Sequence, residues 1–211
     1  KHLMGQEVPS VLANKIVDIL KTESNPEGKF LHPMSKQRQH LCFTGGEPLM
    51  VTGQLASVGI YEELLKQGNL PESMTFETNG TQKLKEPFKE WATGIDQEVF
   101  FSCSPKLFTV SGEESKKAII PEVVGEYRQV SKAGQLKFVV GSEQRQWDEM
   151  DSAIEKFRAE GVDWPVWVMP VGAREEEQTA TAGDVAKLAF QRGYNVAARV
   201  HVYLFGNAIG T

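Results

Sequence analysis

Cysteine is scarce in this sequence, with two residues, Cys42 and Cys103, among 211. A secreted disulfide framework uses more cysteines in a shorter chain, so that class is excluded. Both cysteines stand among apolar, strand-like neighbours, which predicts buried, reduced thiols. Long apolar runs are missing too. No stretch reaches the roughly 18 residues of a membrane-spanning helix, and no leader pattern opens the chain. Excess positive charge is also lacking: 23 Lys and Arg face 28 Asp and Glu, for a net charge of −5. A surface that binds nucleic acid as a whole is therefore not expected. An anionic small substrate stays open, because a local cluster of cations is enough. His2, His32 and His40 have no metal-ligand spacing and are expected to be solvent-facing or structural. No repeat, low-complexity tract or long linker divides the chain, so one domain over 1–211 and a cytoplasmic setting are expected.

What the sequence does have is alternation. Short apolar runs at His40–Phe43, Met74–Glu77, Val99–Ser102, Leu136–Val140, Val166–Met169 and Val196–Val202 read as strands. Helical spacing marks Val8–Lys21, Gln54–Gln67, Leu84–Thr93, Pro121–Ala133, Glu143–Glu160 and Thr181–Arg192. Thr22–Gln39 and Ser111–Lys117 read as loops, the first long enough to be an insertion. Glu175-Glu176-Glu177 places acidic charge where a helix begins, which its dipole favours. Trp147, Trp164 and Trp167 are expected in the core or at an interface. Strand–helix alternation implies an α/β fold with a mostly parallel sheet and outer helices.

Ligands of such sheets gather at the carboxyl ends of the strands. There the sequence reads Thr44-Gly45-Gly46-Glu47-Pro48, Glu77-Thr78-Asn79-Gly80, Ser104-Pro105-Lys106 and Met169-Pro170-Val171-Gly172. Any one of these is ordinary turn chemistry, but they recur on successive strands. The first is the most specific. Two glycines without Cβ atoms let backbone approach a ligand, and the neighbouring carboxylate can accept from an ammonium group. A phosphate loop would need a lysine after the glycines, not an acid.

The run Cys42-Phe43-Thr44-Gly45-Gly46-Glu47-Pro48-Leu49 resembles the glycine-rich motif with which radical S-adenosylmethionine enzymes hold the methionine end of their cofactor. Phe76-Glu77-Thr78-Asn79-Gly80-Thr81, Ser104-Pro105-Lys106 and Leu136-Lys137-Phe138-Val139-Val140 resemble segments of the 7-carboxy-7-deazaguanine synthases. Trp167–Gly172 matches the place of their Gln-Pro loop, with Met169 where glutamine is common. Arg199-Val200-His201 and Gly206–Thr211 resemble their closing signature. The resemblance runs in order from about residue 40 to the last residue.

This resemblance implies an incomplete (β/α) barrel of the radical S-adenosylmethionine type. It implies a carbon–nitrogen lyase that turns 6-carboxy-5,6,7,8-tetrahydropterin into 7-carboxy-7-deazaguanine, for queuosine and related deazapurines, by ring contraction with loss of ammonia. The reaction would start with a 5′-deoxyadenosyl radical abstracting the C6 hydrogen. The implied cofactors are S-adenosylmethionine, a [4Fe–4S] cluster and Mg2+. The implied partners are the pterin, an electron donor such as flavodoxin and a second copy of the chain, with no nucleic acid and no membrane. Gly45, Gly46, Glu47, Ser104, Pro105, Lys106, Met169, Pro170, Val171 and Gly172 would bind the cofactor. Thr44, Glu77, Asn79, His201 and Thr211 would bind the pterin.

One family feature has no counterpart. The cluster needs three closely spaced cysteine thiolates, and Cys42 and Cys103 do not form that spacing. In the family the third cysteine is often followed by Asp-Thr and then Lys-His, and this chain opens Lys1-His2. The expectation is that the cluster cysteines, the magnesium-binding threonine, the first strand and a Gln-Gly-Glu-Gly segment lie ahead of residue 1. Two alternatives remain at this point: an activating enzyme of the glycyl-radical type, and a cluster-free binding protein on the same fold.

Overall fold

A computed structural model of the chain describes residues 7–172 and 174–206, without the side chains at 175, 178, 201, 203 and 205. Lys1, His2 and Thr211 lie outside the described residues. The chain forms two compact units, one of residues up to 77 with 82–101, the other of 78–81 with the residues from 102 onward.

The first unit holds α1 (Pro9–Leu20), β1 (Leu41–Phe43), α2 (Val51–Lys66), β2 (Ser73–Thr78), α3 (Glu86–Gly94) and most of β3 (Glu98–Cys103). These strands are neighbours in chain order, and β1 pairs with β2 in parallel, Cys42 beside Thr75 and Phe43 beside Phe76. Strand pleating sends alternate side chains to opposite faces. Met74, Phe76 and Thr78 are buried, whereas Thr75 is half-buried and Glu77 exposed. Phe76 is the hub of the buried face. Its ring stacks on Phe43 at 4.8 Å and meets Phe88 of α3 edge-on at 5.3 Å. Phe101 of β3 lies 6.0 Å from the same ring. A second cluster joins Ala13, Phe30, Ile60 and Leu64, so α1, α2 and the segment between α1 and β1 share a core.

That segment, the expected loop 22–39, has a defined path. Asn25 donates to the carbonyls of Leu20 and Lys29 and accepts from the Lys29 amide. Buried Asn69 accepts from the Phe30 amide and donates to the Gly28 carbonyl. Leu31 and Arg38 then form an antiparallel bridge.

The second unit holds α4 (Phe108–Ser111), α5 (Ser115–Ala118), α6 (Pro121–Val130), β4 (Gly134–Val140), α7 (Gln144–Ala159), β5 (Val166–Pro170), α8 (Glu175–Gln191), β6 (Asn195–Val196) and α9 (Val200–Phe205). β4, β5 and β6 run parallel in chain order. Leu136, Phe138 and Val140 of β4 and Val168 of β5 are fully buried, as are Trp147, Met150 and Phe157 of α7 and Val185 and Ala189 of α8. The opposite face of these strands, Gln135, Lys137, Val139, Trp167 and Met169, is only half-buried. Consecutive parallel strands with helices outside are the α/β class the sequence predicts, in the order of a (β/α) barrel series.

Several local expectations change. Cys42 is exposed, because β1 turns it to the open face, while Cys103 is buried as expected. The loop expected over Ser111–Lys117 contains two helical turns, α4 and α5, the first closed by Gly112 at φ 74°. α8 starts six residues before the expected Thr181, and the Arg174 amide donates to Glu177 in a capping box. The last strand is two residues, and Val200–Phe205 is helical. The valines there suggest a strand, but tertiary contact overrides that preference: after Ala197 donates to Val168, Val202 is buried and Val200 and Leu204 face outward. No helix among the described residues is long and apolar enough to cross a membrane.

Replacing Phe76 by Ala removes the hub of four ring contacts. It is expected to cost about 3–5 kcal/mol in chemical denaturation; a loss near zero would show that the aromatic cluster does not hold the first unit together.

Candidate functional site

In the first unit the candidate residues gather where β1 and β2 end. Because Phe43 pairs with Phe76, the next residues, Thr44 and Glu77, emerge side by side. The Thr44 hydroxyl donates to Glu77 Oε2 at 3.0 Å. Gly45 and Gly46 follow at φ 83° and 58°, the left-handed region that favours glycine, and nothing lies within 4 Å of where either Cβ would be. Glu47 Oε1 accepts from the Leu49 amide at 3.0 Å. The result is a turn of bare backbone beside two carboxylates, suited to a ligand with an ammonium group or an amine-bearing edge.

Gln54 holds this turn from below. It is buried on α2; its amide nitrogen donates to the Leu49 carbonyl at 2.6 Å and the Lys83 carbonyl at 3.0 Å, and its oxygen accepts from the Lys85 amide at 2.8 Å. One side chain thus ties the segments leaving β1 and β2. Sequence reasoning missed it; the available signal was a polar residue on the buried side of a helix. Gly53 belongs to the same packing, since a Cβ there would sit 2.2 Å from the Pro48 carbonyl oxygen.

In the second unit Asn79 shapes a turn, accepting from the amide and the hydroxyl of Thr81. The Ser104 amide donates to the Thr78 carbonyl at 2.7 Å, so the segments around Asn79 and Ser104-Pro105-Lys106 are joined by backbone. Pro105 is buried and Lys106 exposed. Met169 and Pro170 end β5, and the Val171 amide donates to the Val140 carbonyl. Beside it, Gln146 accepts from the Gly141 amide and the Trp147 indole donates to the Gly141 carbonyl, fixing the end of β4. Arg199 donates through Nε to the Met169 sulfur at 3.2 Å. A thioether is a weak acceptor, so Met169 here receives a contact but cannot donate one as a glutamine could. His201 lies in α9 with its side chain outside the described set, and Thr211 lies outside the described residues altogether.

Glu149 of α7 is a second anchor the sequence did not disclose. It accepts from the Phe108 and Thr109 amides at 2.8 and 2.9 Å, and from the Thr109 and Ser115 hydroxyls at 2.6 and 3.1 Å. Burial pushes its carboxyl up, but these donors, led by the Thr109 hydroxyl, hold it below the usual glutamate value. The chain that follows Ser104–Lys106 is thereby clipped to α7.

The glycine turn is open backbone beside carboxylates, and its chemistry fits the amino-acid end of S-adenosylmethionine. The residues do not fit a [4Fe–4S] cluster or Mg2+. The 211 residues contain two cysteines, and no group of three His, Cys, Asp or Glu able to hold a metal occurs among the described residues.

The strands define a parallel α/β protein whose strands end in polar, glycine-containing turns. Compared with known proteins, the chain is similar to the 7-carboxy-7-deazaguanine synthase of Rhodopirellula baltica, at 28% identity over 186 residues, or 82% of the chain. This is the family its strand-end motifs resemble. The chain spans 64% of that relative's length. No family model matches the chain. No solved structure matches it.

Two predictions follow from these anchors. Gly53→Ala should destabilise the protein by about 1–3 kcal/mol, because overpacking against Pro48 outweighs the helical preference of alanine. Gly94→Ala, with open space around it, should be neutral or slightly stabilising; equal thermal shifts for the two would show that the Pro48 contact is unimportant. Glu149 has a lowered folded pKa, so its stabilisation is complete above the ordinary glutamate value of about 4.3. It is lost as pH falls through the lower folded value. Amide exchange at Phe108 and Thr109 should speed up in that acid window. Glu149→Ala should show the same fast exchange already at neutral pH, at a cost of about 1 kcal/mol for a half-exposed group.

Proposed function

We propose that the chain is the S-adenosylmethionine- and pterin-binding part of a 7-carboxy-7-deazaguanine synthase, a radical S-adenosylmethionine lyase. Its substrate would be 6-carboxy-5,6,7,8-tetrahydropterin, contracted to 7-carboxy-7-deazaguanine with release of ammonia. The observation that carries this reading is the pairing of Thr44 with Glu77 beside the Gly45-Gly46 cradle, in a chain similar to an enzyme of that name. A flavodoxin-type electron donor, a homodimer and a cytoplasmic setting go with this reading.

Bound S-adenosylmethionine would supply the radical chemistry, and the protein the position and shielding. Gly45, Gly46 and Glu47 would take the methionine end. Ser104, Pro105 and Lys106 would take the nucleoside or carboxylate, and Met169, Pro170, Val171 and Gly172 the adenine. Thr44, Glu77 and Asn79 suit the pterin edge, which offers several donors and acceptors, and His201 and Thr211 complete the expected substrate contacts. No step through a cluster or Mg2+ is assigned to these residues. The alternative is a cluster-free protein that binds the same ligands without turnover.

Equilibrium dialysis with labelled S-adenosylmethionine tests the cradle. Gly46→Ala should weaken binding about tenfold or more, from the strain of a left-handed alanine and the filled cradle. Glu77→Gln should leave that binding nearly unchanged but abolish turnover of the pterin by the protein as its source organism makes it, reconstituted anaerobically to about four irons per chain. Binding that ignores Gly46→Ala would overturn the cradle assignment. Binding without iron uptake or turnover would favour the cluster-free alternative.

A further inference from the structure

The segment 22–39 has no part in the proposed reaction, yet its course is tightly specified. It spans 18 residues between α1 and β1, longer than most connections in compact domains. Its base is fixed by buried Phe30 and by Asn69, whose amide bonds both the Phe30 amide and the Gly28 carbonyl. Gln39 closes the ribbon, donating to the Phe30 carbonyl and accepting from the Glu72 amide. This arrangement borders an open cavity of about 260 Å³ lined by Lys29, Leu31, Arg38, Gly68, Asn69 and Leu70.

The cavity differs from the strand-end site in place and in charge. Leu70 precedes β2, so the cavity lies at the amino end of that strand, whereas Thr44 and Glu77 mark the carboxyl ends. Its lining has two cations and no carboxylate, in a chain of net charge −5. Lys29 pairs with Glu27 at 3.5 Å, a glutamate whose side chain is 77% exposed. Such an exposed pair is weak and gives way to a better anion. Asn69 has both ends of its amide engaged by backbone, so it shapes the wall. Leu31 and Leu70 supply apolar surface. Arginine presents a planar fork of donors that matches phosphate oxygens two at a time.

We propose that this cavity is a second ligand site, independent of the proposed reaction, for a phosphate group held by Arg38 and Lys29. Its size is at the small end of ligand sites. It admits inorganic phosphate, or a phosphate monoester whose few carbon atoms rest on Leu31 and Leu70.

The test is a titration of the 211-residue chain with inorganic phosphate and with ribose 5-phosphate, followed by amide chemical shifts in nitrogen-15 NMR. Saturable shifts are expected at Leu31, Gly68 and Leu70. Arg38→Gln and Lys29→Gln should each weaken binding by about tenfold. Lys36→Gln, a change to an exposed cation of the same ribbon outside the cavity lining, should leave it unchanged. Tighter binding of ribose 5-phosphate supports a monoester as the ligand, and equal binding supports the free ion. The proposal is overturned if neither probe shifts these amides at about 10 mM, a concentration well above the millimolar Kd of a weak specific site. It is equally overturned if Arg38→Gln binds like the unaltered chain, or if Lys36→Gln weakens binding as much as Arg38→Gln, which would mark diffuse charge in place of a site.

Discussion

The alternation of side chains along the parallel strands is the constraint on which the rest depends. A strand presents successive residues to opposite faces, and here the two faces have different tasks. In β2, Met74, Phe76 and Thr78 turn to the helices, and Thr75 and Glu77 turn away from them. In β4 the same division sets Leu136, Phe138 and Val140 against Gln135, Lys137 and Val139. Parallel sheets are usually covered on both faces. Within each unit the second strand face is less covered: Glu77 is exposed, and Gln135 and Lys137 are half-buried. The apolar face fixes the register, and the register then decides that Thr44 meets Glu77.

Helix residues hold the strand-end turns. Gln54 ties the segments after β1 and β2, Gln146 and Trp147 fix the turn after β4, and Glu149 clips the chain after β3. Each is a polar group spent on backbone, and each such group would be costly to bury unpaired. The glycine turn is thus held by Gln54 from α2 and by its own Glu47, while Gly45 and Gly46 stay bare. The sulfur of Met169 accepts from Arg199 Nε and, as a thioether, offers no donor of its own.

Much of this was legible in the residues. Periodicity located the main strands and helices, and Gly45 and Gly46 after an apolar strand marked the turn that follows β1. Where the reading failed, the cause was context. Val196–Val202 has the branched residues of a strand, but only Asn195–Val196 finds a partner in β5, and a helix follows. Cys42 looked buried because its neighbours are apolar, yet the pleat turns it outward. The buried glutamines were invisible because their anchoring partners are backbone groups, and Glu149 because its donors lie 34 to 41 residues away in the chain.

The sequence by itself determined the α/β class, the succession of elements and the residue types at the strand ends, because these follow from local periodicity and from the backbone freedom of glycine. Tertiary structure alone decided that Thr44 and Glu77 share a hydrogen bond, that Gln54 braces the turn, and that Lys29 and Arg38 line one cavity. Those facts depend on register and on contacts between residues distant in the chain, and no local pattern encodes a distance.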